Sequence, residues 1–112
     1  MAISVRPFKP FLSGGIAPAV SATSATSYAL VAWPTNAPRD DLSVYIANIG
    51  PNPIHFEFGS AVNDNVATSA ASMTIPAGGT RVVSTNITTT HVNAVATSGP
   101  STTQFLIGYG GV

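Results

Sequence analysis

The chain has 112 residues, with four basic and four acidic side chains, two histidines, one tryptophan and no cysteine. That length points to one domain with a single core, too small for a two-domain catalytic cleft. The missing cysteine excludes a disulfide framework, a thiolate nucleophile and cysteine-ligated metal, and zero net charge without a basic stripe argues against nucleic acid as a partner.

Residues 1–26 read as an extended N-terminal arm. Pro7, Pro10 and Pro18 interrupt every possible element, Gly14 and Gly15 loosen it, and a Ser/Ala/Thr tract follows from Ser21. Proline lacks an amide donor, so the stretch is no central strand; yet Val5, Phe8, Phe11, Leu12 and Ile16 are too apolar for a solvated linker. Fully extended, about twenty residues reach roughly 60 to 70 Å, enough to cross a neighbouring subunit. The alternative is an arm that packs back on its own domain.

Residues 27–112 read as one β-sandwich domain. Sixteen alanines, 19 valines and isoleucines, 13 threonines and only four leucines favour strands, because β-branched side chains fit a pleated surface and lose rotamers in a helix. The first strand is 27–33, ended by Pro34. Next, 42–48 alternates, with Leu42, Val44 and Ile46 on one face. The turn Ile49-Gly50-Pro51-Asn52-Pro53 precedes 54–58, where Ile54, Phe56 and Phe58 share the buried face and leave His55 and Glu57 together on the other. Residues 60–71 lack periodicity and read as loop. Strands 72–75 and 80–84 flank Pro76-Ala77-Gly78-Gly79, which reads as a glycine hairpin. The last strands are 89–97 and 104–109, joined by a turn at 98–101. The expectation is an all-β, antiparallel sandwich of about seven strands, jelly-roll or immunoglobulin-like, with no helix. The longest apolar run, Tyr28 to Trp33, is far short of the roughly 20 residues that span a bilayer. Neither a membrane segment nor a signal peptide is legible.

The charged fraction of 7% compares with about 25% in an ordinary soluble domain. Twelve serines, 13 threonines and seven asparagines cover the surface instead. So little colloidal repulsion favours association, and the expectation is a surface largely buried against other chains.

Few constellations suggest chemistry. His55 and Glu57, with His91 and Asp64 as conceivable further ligands, lack any metal-binding spacing and read first as a polar cross-strand pair. No GxSxG elbow accompanies the serines, and Asp40, Asp41 and the histidines do not assemble a triad. Neither glycine pair is followed by the lysine of a phosphate loop. Asn63-Asp64-Asn65 reads as a turn, and Asn86-Ile87-Thr88 as a chance match to a glycosylation acceptor. Arg39-Asp40-Asp41 is solvated loop polarity or an intersubunit bridge to Arg6, Lys9 or Arg81. Trp33 reads as core or interface before sugar platform. The expectation is a non-enzyme with no catalytic residue, metal or cofactor.

From Leu42 onward the chain resembles the small virion proteins of tailed bacteriophages, among which capsid decoration, or cement, proteins recur. The resemblance rests on Val44-Tyr45-Ile46-Ala47-Asn48-Ile49-Gly50-Pro51-Asn52-Pro53-Ile54-His55-Phe56-Glu57-Phe58-Gly59. Ile75-Pro76-Ala77-Gly78-Gly79-Thr80 and the ending Gln104-Phe105-Leu106-Ile107-Gly108-Tyr109-Gly110-Gly111-Val112 extend it to about two thirds of the chain. These are turn-and-strand features without a catalytic signature, and the N-terminal arm has no counterpart. The resemblance implies an adhesive protein made in the bacterial cytoplasm, which binds the outside of a capsid shell as a homotrimer and has the major capsid protein as partner. Phe8, Phe11, Leu12 and Ile16 are the expected contacts, with Arg6 and Lys9 pairing to capsid carboxylates. Two other roles compete: a tail, adaptor or fibre-base component, and a carbohydrate-binding or adhesin module stacking sugars on Trp33, Tyr45 or Tyr109.

Overall fold

Nine strands run through the computed structural model, which describes residues 7–35 and 41–111. They are β1 (Lys9–Ile16), β2 (Ala19–Val20), β3 (Thr26–Ala29), β4 (Leu42–Asn48), β5 (Ile54–Gly59), β6 (Met73–Ile75), β7 (Thr80–Ser84), β8 (His91–Ala96) and β9 (Ser101–Tyr109). No helix occurs among the described residues. Every pairing is antiparallel, and two sheets form a small β-sandwich. One has the order β1-β9-β4-β7, with β2 also on β9, and the other β3-β8-β5-β6.

The alternation in β4 sends Leu42, Val44 and Ile46 into the core, where Val44 lies opposite Ile107 and Ile46 opposite Phe105 of β9. From the other sheet come Ile54, Phe56, Ile75 and Val92, all 0–1% exposed. The alanines have a use here. Ala94 and Ala96 stand beside Phe56 and Ile54 on the neighbouring strand, and their small volume leaves space for rings that meet across the sheets. Phe56 lies edge-on to Phe105, with centroids 6.4 Å apart, and to Phe58 at 5.4 Å. Such alternation of large and small residues lets a core reach crystal-like density.

β4 and β7 have the bounds that the sequence pattern predicts, and the remaining differences have local causes. The strand expected over 27–33 ends at Ala29, because its partner β8 begins only at His91. Leu30 then donates to Thr90 O at 2.9 Å. β9 starts at Ser101 because β2 pairs there, Val20 opposite Ser101. The glycine hairpin expected at 76–79 does not form. β6 belongs to the second sheet and β7 to the first, so Pro76-Ala77-Gly78-Gly79 carries the chain between sheets. Its backbone is bonded to Asn48 instead: Asn48 N to Gly79 O at 2.9 Å and Gly78 N to Asn48 O at 2.8 Å.

The two strands beyond the expected seven come from the segment read as an arm. From Lys9 it is the edge of the first sheet, with Lys9 opposite Tyr109, Pro10 opposite Gly108, Gly15 opposite Leu106 and Ile16 opposite Phe105. An edge position tolerates Pro10, which has no amide to give. Between Pro10 and Gly15 the register shifts, so that residues 11–14 face Ile107 alone. Ser13 in this bulge has φ 55°.

Gly108 is where β1 comes closest. A Cβ there would stand 2.3 Å from Lys9 O and 2.6 Å from the Phe8 ring. Gly108→Ala is expected to lift the start of β1 off the sheet and to destabilise the domain by about 1–3 kcal/mol, as overpacking does. Hydrogen exchange is the check: the β1 amides should lose protection while those of β5 and β8 keep theirs.

Candidate functional site

Both histidines and Asp64 are tied into structure. His55 is only 6% exposed, with Nδ1 2.8 Å from Thr74 Oγ1 and Nε2 2.6 Å from Thr97 Oγ1. A hydroxyl can donate to or accept from either nitrogen, so the imidazole links β6 to the end of β8 with both nitrogens engaged. Glu57 is half-buried on the same face, opposite Asn93. His91 Nδ1 is 2.8 Å from its neighbour Thr90 Oγ1. Among the described residues no three histidine, aspartate or glutamate side chains are grouped as metal ligands.

Asn93, buried on β8, holds the loop 60–71 against this sheet. Its Oδ1 accepts from Ala67 N at 2.8 Å, and its Nδ2 donates to Asn63 Oδ1 at 3.4 Å. Asn63-Asp64-Asn65 is a turn, with Asn63 at φ 56°. Asp64 Oδ2 accepts from Ser60 N and from Ser60 Oγ, both at 3.1 Å. The Ser60 amide, and after it the Ser60 hydroxyl, hold the Asp64 carboxyl below its ordinary range. A lowered folded-state pKa gives a contribution that is complete above the unfolded-state value and vanishes as pH falls through the folded one. Acidification below about pH 4 is expected to release the Ser60 amide. Its chemical shift should follow the Asp64 carboxyl in an NMR titration, and Asp64→Asn should abolish the inflection.

The apolar residues of the N-terminal segment have separate fates. Phe8 lies half-buried against Tyr45, with centroids 5.8 Å apart. Phe11 turns to the core, edge-on to Trp33 at 6.1 Å and tilted on Tyr109 at 5.5 Å. Ile16 also packs on the core, and Lys9 is exposed. Leu12 stands 98% exposed. Arg6, Arg39 and Asp40 lie outside the described residues. Each aromatic ring considered for sugar stacking, Trp33, Tyr45 and Tyr109, thus has a phenylalanine of this segment against it. Trp33 also gives its indole N–H to Thr89 O at 2.7 Å.

At the opposite end of β4, three chain crossings between the sheets converge on Asn48, which is 1% exposed. Its Nδ2 donates to Asn52 O at 2.7 Å and to Ile75 O at 3.1 Å, and its Oδ1 accepts from Ser101 Oγ at 2.6 Å. Asn52 extends the junction to Pro100 O at 3.0 Å. Gly50 fits because it has no Cβ; one would lie 2.2 Å from Ser101 Oγ. Nothing in the sequence pattern marks Asn48 beyond its place at a strand end. His55, His91 and Asp64 are thus bonded within the fold, while the molecule presents outward Lys9, Arg81 and Asp64, many hydroxyls and amides, and the exposed apolar side chains Leu12, Ile49, Val62 and Val66. No protein family, curated protein or solved structure matches the chain.

Proposed function

We propose that this chain is a structural virion protein of the capsid decoration type, which binds the outside of a tailed-phage shell and bridges neighbouring capsid subunits. The observation that carries the reading is a surface with only 7% charged residues in the chain, combined with a leucine held 98% exposed on a sheet edge. Such a surface suits adhesion. Apolar area buried between subunits contributes about 25 cal/mol per Å², and many copies multiply the effect. The resemblance of residues 42–112 to phage virion proteins supports the same reading, as does the bonding of His55 and Asp64 within the fold. In this role the protein has no catalytic residue or cofactor, and its partners are the major capsid protein and its own copies, with the homotrimer as the assembly.

Light scattering on a size-exclusion column, followed by mixing with shells that lack the protein, tests this. A trimer that loads onto shells in hundreds of copies supports the reading. Indifference to shells overturns it and favours a tail component or a glycan-binding module. Because the proposed contacts are apolar and hydrogen-bonded, raising salt to molar concentration should leave the oligomer intact, since screening acts on charges. Dissociation at high salt would assign the contact to the Arg39–Asp41 loop.

A further inference from the structure

The two sheets end in β1, β7, β6 and β3, and the first three of these edges are guarded against strand addition. β1 has Lys9, Pro10 and the bulge, and β2, which continues that edge, has only two residues. On β7, Arg81 stands opposite Ile46 and so on the core side of its sheet. β6 is three residues long and is followed by Pro76. Proline, bulges, short length and inward charges are the devices by which edges escape pairing. β3 has none of them. From Thr26 to Val31 there is no charge, proline or glycine, and the ladder to β8 keeps register from Thr26 opposite Ala94 to Ala29 opposite His91.

The direction of its backbone groups follows from the bonds at either end. Leu30 N donates to Thr90 O and Ala96 N to Ser21 O, both at 2.9 Å, so the even-numbered residues of β3 turn their amides and carbonyls to β8. Ser27 and Ala29 turn theirs away from it, and among the described residues no backbone group bonds to them there. The neighbouring loop reaches Ser27 only through its hydroxyl, which accepts from Asn63 N at 3.3 Å.

We propose that β3 pairs antiparallel with β3 of a second copy across a two-fold axis at Tyr28, so that the two four-stranded sheets join into one. The edge is its own complement. With Tyr28 opposite Tyr28, Ser27 of each copy lies opposite Ala29 of the other, and the outward amide and carbonyl of one meet the carbonyl and amide of the other as a hydrogen-bonded pair. Tyr28, whose backbone groups turn to β8, takes the close position between them, which suits an aromatic pair. Thr26, Ser27, Tyr28 and Ala29 are uncharged, so no like charges are opposed. Such a contact is isologous. The inference goes beyond the decoration reading: alone it gives a dimer, and combined with the three-fold contact of that reading it gives a hexamer.

The experiment uses the full chain. Ala29→Pro removes an outward amide without touching a bond to β8, and an edge strand accepts proline at such a position. Val82→Pro makes the same change on β7, where Thr85 N to Leu42 O and Asn48 N to Gly79 O, each 2.9 Å, turn the odd-numbered residues to β4 and Val82 outward. In light scattering the wild type and Val82→Pro should have the mass of two chains or six, and Ala29→Pro half of it. Ala29→Lys, a milder change at an exposed site, sets like charges near each other across the axis; it should halve the mass in dilute buffer and restore it in molar salt. Hydrogen exchange reads the pairing directly: the Ser27 and Ala29 amides should be protected at high concentration and released on dilution, while that of Val82 exchanges freely at both. A monomeric or trimeric wild type, either Ala29 variant with wild-type mass in dilute buffer, or unprotected Ser27 and Ala29 amides in the oligomer would each overturn the proposal. Protection that arises only when shells are added would also overturn it, by making a capsid strand the occupant. Failure to bind shells, with the concentration-dependent protection intact, would remove the decoration reading and leave this pairing standing.

Discussion

Asn48→Leu is expected to destabilise the domain by about 3–5 kcal/mol, against a total of about 5–15 kcal/mol for a domain of this kind. Leucine is similar in size, so the loss comes from partners left without hydrogen bonds. Ile75 O and the Ser101 hydroxyl lose their bonds inside a corner where the side chain is 1% exposed, and each buried group left unsatisfied costs about 1–3 kcal/mol. Asn52 O loses its bond as well. The backbone bonds to Gly78 and Gly79 depend on the same geometry. Urea unfolding measures the loss as a lower midpoint. Asn48→Asp offers a comparison, because it keeps an acceptor for Ser101 while turning the donor toward Ile75 and Asn52 into an acceptor. An unfolding free energy within about 1 kcal/mol of wild type for Asn48→Leu would mean that the three crossings are held by packing alone.

Phe56→Ala should lose about 3–5 kcal/mol, the range for a large aromatic removed from a packed interior. Phe56 is 0% exposed and touches rings from both sheets, Phe58 in its own and Phe105 in the facing one. The neighbouring positions on β8 are alanine and valine, too small to collapse into the space. A fall in Tm of roughly 10 to 25 °C follows. Phe58→Ala, at a half-buried site of the same strand, should lose distinctly less; equal losses would place the centre of the core nearer the end of β5.

These two sites differ in how far the sequence discloses them. Phe56 is legible, because the alternation Ile54, Phe56, Phe58 opposite His55 and Glu57 has the period of a strand with one buried face. Asn48 is not. A polar residue at a strand end resembles any other until three crossings distant in sequence meet there. The same distance hides the sheet membership of β6 and β7. Pro76 to Gly79 has the local chemistry of a hairpin, and long-range bonds to Asn48 decide otherwise. In the N-terminal segment the prolines suggest an arm, since they exclude a central strand, but an edge strand needs fewer amides and accepts Pro10. The bulge conceals which apolar residue points outward. With period two broken at residues 11–14, Phe11 reaches the core and Leu12 the solvent.

The pairing of β1 with β9 also sets an order of events in synthesis. Some 85 residues separate the two strands, and at about 5–20 residues per second the ribosome needs on the order of 4 to 17 s to make them. During that interval the N-terminal segment has no strand to lie on, and β4 lacks its neighbour β9 as well. Its sequence suits the wait. Pro7, Pro10, Pro18 and the Gly14-Gly15 pair make it a poor template for another nascent chain, so the features that weaken it as a strand also protect it until β9 is translated.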